Sequence, residues 1–129
     1  MARQKTGQPT GRELTILGIL WENGPSTVRA VNEAMNKDKA TGYTTTLKLM
    51  QIMAEKRLVA RNESQRTHIY KARAGRKRTQ TQLVGNLLET AFAGSAEKLV
   101  MRALSAKKVP ATELAKIRKM LDELERKKL

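Results

Sequence analysis

Residues 43–71 read YTTTLKLMQIMAEKRLVARNESQRTHIYK, and two different periodicities meet within them. From Tyr43 to about Arg57, Leu47, Met50, Met53 and Ala54 repeat along one side of a helix. Thr44, Thr45, Lys48, Gln51 and Glu55 fill the other side, leaving a polar face open to solvent or a ligand. Leu58-Val59-Ala60-Arg61 and Thr67-His68-Ile69-Tyr70-Lys71 then form two short β-prone runs. The polar stretch from Asn62 to Arg66 joins them, which predicts a hairpin with a basic tip.

Two helices are expected before this unit. Leu14, Ile16, Leu17, Leu20 and Trp21 recur at helical spacing from Gly11 onward, and Asn23-Gly24-Pro25 supplies a left-handed stop followed by a breaker. Ser26 is expected to cap the second helix, whose apolar stripe is Val28, Val31, Ala34 and Met35. Asn36 to Gly42 is its polar, glycine-containing exit. Three helices and a hairpin make a winged helix-turn-helix, in which the third helix enters the major groove of duplex DNA.

Beyond Gly75-Arg76-Lys77-Arg78 the pattern is helical again, with Leu83, Val84, Leu87, Leu88, Ala91 and Phe92 preceding a break at Gly94-Ser95. A further stretch carries Leu99, Val100, Ala103 and Leu104. Pro110 opens a last helix on which Leu114, Ile117, Leu121 and Leu124 recur at coiled-coil-like spacing. The fold class expected is therefore mainly α with a small β-hairpin. Residues 1–10 form a flexible arm, 11–75 a winged-helix DNA-binding domain and 76–129 a helical dimerisation domain. Leu87, Leu88, Phe92, Leu99, Leu114, Ile117, Leu121 and Leu124 are the expected dimer contacts, because a complete winged-helix unit leaves these helices little core of their own to cover.

Charge agrees with a nucleic-acid partner. Twenty-six Lys and Arg against twelve Asp and Glu give +14 over 129 residues, and thirteen basic and six acidic residues lie on each side of Gly75. The excess is thus not a detachable tail. Thr44, Thr45, Lys48 and Gln51 suit base edges, with Tyr43 beside them. Arg66 at the hairpin tip and Arg61 nearby suit phosphates or a narrow minor groove.

Other chemistries lack their residues. The chain has no cysteine and a single histidine, His68, which is expected to be a strand residue packing beside the hairpin. This supports neither a metal site nor a catalytic triad, and no cofactor or enzymatic activity is expected. Trp21, Tyr70 and Phe92 are too dispersed for a base-stacking platform and read as core or interface anchors. No apolar run approaches the ~18–20 residues that span a bilayer, and no apolar segment follows the basic N-terminus. A cytoplasmic protein without membrane insertion is expected. The rival readings are a non-specific architectural DNA- or RNA-binding protein, which +14 alone would serve, and an adaptor working through the C-terminal helices.

The stretch LGILWENGPSTVR (17–29), the turn GYTTTL (42–47), EKRLV (55–59), RTHIY (66–70), Gly94-Ser95 and Leu99-Val100 together resemble the BlaI/MecI/CopY family of bacterial repressors. The resemblance covers about residues 11–125. It implies a winged-helix domain, a helical dimerisation domain and repression at palindromic promoter sites, with Tyr43 to Arg57 as recognition helix and Asn62 to Thr67 as wing. Ile52 stands where many members carry Arg. The copper-responsive branch has C-terminal cysteine pairs, which this chain lacks, and the β-lactam-responsive branch is cleaved at an Asn-Phe bond. No Asn-Phe pair occurs here, and the matching place reads Leu99-Val100-Met101-Arg102-Ala103-Leu104. An unidentified sensor protease of other specificity, acting at Arg102-Ala103, is carried as a candidate partner.

Overall fold

A computed structural model describes residues 8–128. The elements in order are α1 (Gly11–Asn23), α2 (Val28–Met35), α3 (Tyr43–Glu55), β1 (Val59–Asn62), β2 (Ile69–Ala72), α4 (Arg76–Ala91), α5 (Ala96–Ala106) and α6 (Ala111–Lys128). The chain divides into two compact units within α4, between Val84 and Gly85. The arm expected over residues 1–10 lies outside the described residues as far as position 7.

The first unit closes around Ile16, Leu17 and Leu20 of α1, Val28, Val31 and Met35 of α2, and Met50 and Met53 of α3, completed by Leu58, Val59 and Tyr70. Each helix buries only the stripe that its 3.6-residue period presents. Thr10 opens α1 with a capping box: its Oγ1 accepts from the Glu13 amide (3.3 Å) and its own amide donates to Glu13 Oε1 (2.9 Å). Glu13 is buried, and its Oε1 also accepts from Lys56 Nζ at 2.7 Å, so the carboxylate that caps α1 also holds the end of α3. Removing the Lys56 charge alone would leave a buried carboxylate uncompensated, which is the costly case for such a pair.

Gly24, at φ 82°, ends α1 by donating its amide to Leu20 O (2.8 Å). The expected cap of α2 moves by one residue: Thr27, not Ser26, accepts from the Ala30 amide (3.1 Å). Ser26 is already committed to Tyr70, donating to its carbonyl (2.9 Å) and accepting from its amide (2.8 Å). That single bridge adds a third edge beside the antiparallel hairpin, in which Val59 faces Ala72 and Asn62 faces Ile69.

α3 ends in a Schellman turn: Leu58 N donates to Met53 O (2.9 Å) and Arg57 N to Ala54 O (3.1 Å). Arg57 occupies the left-handed position, at φ 66°. The turn returns Leu58 to the core and leads into β1. After β2, Trp21 Nε1 donates to Ala74 O (2.8 Å), and the Arg76 guanidinium lies over the Trp21 ring, 5.6 Å from its centre, within 3.2 Å of Glu22. These contacts hold the start of α4 on α1. Arg76, read in the sequence only as part of a basic run, is thereby partly occupied within the chain, whereas Lys77 and Arg78 are exposed.

In the second unit Ser95 caps α5 by accepting from the Lys98 amide (3.1 Å), and Pro110 precedes α6, its carbonyl accepting from Leu114 N (3.0 Å). No residue from Gly85 to Lys128 is buried. Leu87, Val100, Met101, Met120, Leu121 and Leu124 all rank among the exposed large apolar side chains, and Leu88, Phe92, Leu99, Leu114 and Ile117 are half-buried.

Candidate nucleic-acid interface

Residues at about 100° intervals around α3 separate into two faces. Thr46, Met50 and Met53 are buried, whereas Thr44, Thr45, Lys48, Gln51, Ile52 and Glu55 are exposed in one sector of about 120°. Tyr43, in the first turn, is half exposed. The reading-face residues expected from the sequence, Tyr43, Thr44, Thr45, Lys48 and Gln51, therefore all lie on solvent-facing surface of α3. Ile52, an apolar residue, shares that sector.

A buried polar network sets the angle at which α2 hands over to α3. Asn32 Nδ2 donates to Thr41 O (2.9 Å) and to Thr46 Oγ1 (2.7 Å), and the Thr46 hydroxyl donates to Met35 Sδ (3.7 Å). The Thr41 amide donates to Asn36 Oδ1, and Arg12 reaches Thr41 Oγ1 at 3.3 Å. Among the described residues no buried side-chain nitrogen or oxygen lacks a partner. One side-chain amide thus ties the connecting turn and the first turn of α3 to α2, which holds the exposed face at a fixed tilt. Sequence reasoning missed Asn32, Thr41 and Thr46. The available signal was position: Asn32 falls in the buried set Val28, Val31, Asn32 and Met35 at helical spacing.

At the hairpin, residues 61–68 are all exposed. Asn62 Oδ1 accepts from the Ser64 amide (2.9 Å) and shapes the tip. Arg66 stands on that tip and makes no ion pair among the described residues. Arg61 is held differently: it pairs with Glu63, and the side chain of its cross-strand neighbour Tyr70, followed by Glu63, pushes its pKa upward. A phosphate contact from Arg61 would be made beside that carboxylate, through guanidinium donors that Glu63 leaves open. His68 departs from expectation, since it precedes β2 and is exposed instead of packing beside the hairpin. Tyr70, two residues later, turns into the core in its place.

An outward polar helix face, a short helix and fixed turn before it, and a basic hairpin beside it can dock on duplex DNA with the helix in the major groove. Among the described residues no group of His, Asp or Glu is arranged to hold a metal, and no helix is long and apolar enough to cross a membrane.

Known proteins are similar in sequence to this chain. The transcriptional regulators BlaI of Mycobacterium tuberculosis strains CDC 1551 / Oshkosh and ATCC 25618 / H37Rv are each 32% identical to this chain over 119 residues. The match spans 88% of this chain and 82% of theirs. Residues 9–123 match the penicillinase repressor family, a family of DNA-binding transcriptional repressors and not of enzymes. With the family match covering most of its length and a repressor's winged helix at its N-terminal end, the chain belongs to the penicillinase repressor family.

Proposed function

We propose that the protein represses transcription in the cytoplasm as a homodimer, each copy reading one half of a two-fold symmetric promoter site. Residues 11–75 form the reading head and residues 76–129 hold two copies together. Tyr43, Thr44, Thr45, Lys48 and Gln51 face the major groove, and Arg66, with Arg61 nearby, lies against the backbone or the adjacent minor groove. The observation that carries this reading is the two-sided α3, polar and exposed on one face and locked by Asn32 and the core on the other.

The dimer is supported by the second unit. A 55% exposed Leu121 and a 50% exposed Leu124 beside half-buried Leu114 and Ile117 are apolar surface that one chain leaves in water. An isologous contact between two copies covers the same stripe twice and sets the two heads about a two-fold axis. Half-sites then lie about one helical turn, or a multiple of it, apart. Release by a sensor protease at Arg102-Ala103 would require α5 to unwind, since that bond lies inside the helix.

Nuclease footprinting on the DNA flanking the protein's own gene, followed by competition against bulk duplex at fixed salt, tests the reading. A repressor protects a palindrome and prefers it by ~10³-fold or more. Equal competition by bulk duplex would instead establish the architectural alternative, in which counterion release alone drives binding.

A further inference from the structure

Ile52 is 37% exposed in the sector of α3 that also carries Thr44, Thr45, Lys48, Gln51 and Glu55. It is the one large apolar side chain in that sector. Four residues from Lys48 and seven from Thr45, it lies in line with both along the helix. The apolar duties of α3 are already met elsewhere: Met50 and Met53 are fully buried, and Leu47, Leu49 and Ala54 pack against the core. Ile52 therefore presents branched hydrocarbon on a polar surface and lies outside the buried core cluster.

Major-groove base edges consist mainly of hydrogen-bond donors and acceptors. The C5-methyl of thymine is the apolar group that projects into the groove, and it is read by apolar contact instead of hydrogen bonds. A β-branched side chain suits this task, because within a helix its χ1 is nearly fixed and the contact surface is set before DNA arrives. We infer that Ile52 is a specificity-determining residue that packs on a thymine C5-methyl in each half-site. This rests on the reading that α3 enters the major groove. Four residues of helix advance ~6 Å, about two base-pair steps, so the thymine lies within about two steps of the base or phosphate met by Lys48.

The test uses the full-length protein and the duplex that footprinting identifies. Each thymine is replaced in turn by deoxyuridine, which removes the methyl and leaves the hydrogen-bonding edge intact. Wild type is expected to lose roughly fourfold in affinity at one thymine per half-site, as expected for one buried methyl, and about tenfold or more when both half-sites are substituted. Ile52→Ala is expected to bind the thymine duplex about as weakly as wild type binds the substituted one, and to be indifferent to the substitution. Thermal unfolding of Ile52→Ala should remain cooperative with at most a modest fall in midpoint, since the side chain is 37% exposed and lies outside the buried core cluster, so a loss of binding is not a loss of folding. Wild-type indifference to every deoxyuridine, or unchanged sensitivity in Ile52→Ala, overturns the assignment. Lys48→Ala and Thr45→Ala separate the two failures: if they weaken binding while the methyl has no effect, only the Ile52 contact is wrong. If they and Ile52→Ala all bind like wild type, α3 is not the reading helix, and the inference falls with it.

Discussion

Replacing Asn32 by Ala removes one side-chain amide and strips two buried acceptors of their donor. Thr41 O loses a 2.9 Å bond and Thr46 Oγ1 a 2.7 Å bond, at sites where Asn32 is 9% and Thr46 0% exposed. Each stranded buried acceptor costs ~1–1.5 kcal/mol at the lower end of the usual range. Alanine's better helix propensity returns about 0.6 kcal/mol within α2. A net loss of about 2 kcal/mol is expected. Urea titration followed by the fluorescence of Trp21, the sole tryptophan, reports it, because Trp21 belongs to the first unit and is bonded to Ala74 there. Thr46→Val in the same background removes one of the stranded groups. The double variant should accordingly be more stable than the sum of the singles predicts, by ~1 kcal/mol. A cost below about 0.5 kcal/mol for Asn32→Ala, or an additive cycle, would refute the view that this amide fixes α3 on α2.

Arg57→Gly should raise the urea midpoint, since a non-glycine residue at φ 66° carries ~1 kcal/mol of strain that glycine relieves while both bonds of the Schellman turn remain. A lower midpoint would mean that the Arg57 side chain contributes more than its backbone costs. Arg66→Ala on the wing should weaken binding on many sequences and flatten the logarithmic salt dependence by roughly one unit, as one fewer counterion is released. The same slope as wild type in a salt titration removes Arg66 from the interface. Leu121→Asp puts an unpaired charge into the stripe on α6 and should yield monomers that bind a full palindrome little better than a half-site. Sedimentation showing wild type monomeric at micromolar concentration, or a dimeric Leu121→Asp with full affinity, excludes that helix as the seam.

Much of this molecule is written in local patterns. The helical period from Leu14 to Trp21 and from Leu47 to Ala54, the stop at Asn23-Gly24-Pro25, the break at Gly94-Ser95 and the start after Pro110 all appear as elements close to where the sequence puts them. The same periodicity sorts α3 into a buried and an exposed face, so Tyr43, Thr44, Thr45, Lys48 and Gln51 could be chosen as candidate contacts from the sequence. These features are legible because backbone geometry and side-chain period act over a few residues.

Long-range pairing decided the rest. Ser26 has the chemistry of a helix cap, yet its backbone pairs with Tyr70, forty-four residues away, and the cap passes to Thr27. His68 alternates correctly for a strand, yet the ladder starts at Ile69. Arg61 and Arg66 look alike in a basic hairpin, and only the position of Glu63 makes one paired and the other available. Asn32, Thr41 and Thr46 are ordinary polar residues until three segments converge and exclude water from them, and Arg76 becomes a link to α1 only because Trp21 lies beneath it. The sequence by itself determined which segments are helices, which face of α3 is polar and that the whole chain attracts polyanions. Tertiary structure alone decided how α3 is angled and which charges remain unpaired, because the energy of a buried hydrogen bond or an ion pair depends on what the rest of the chain brings beside it.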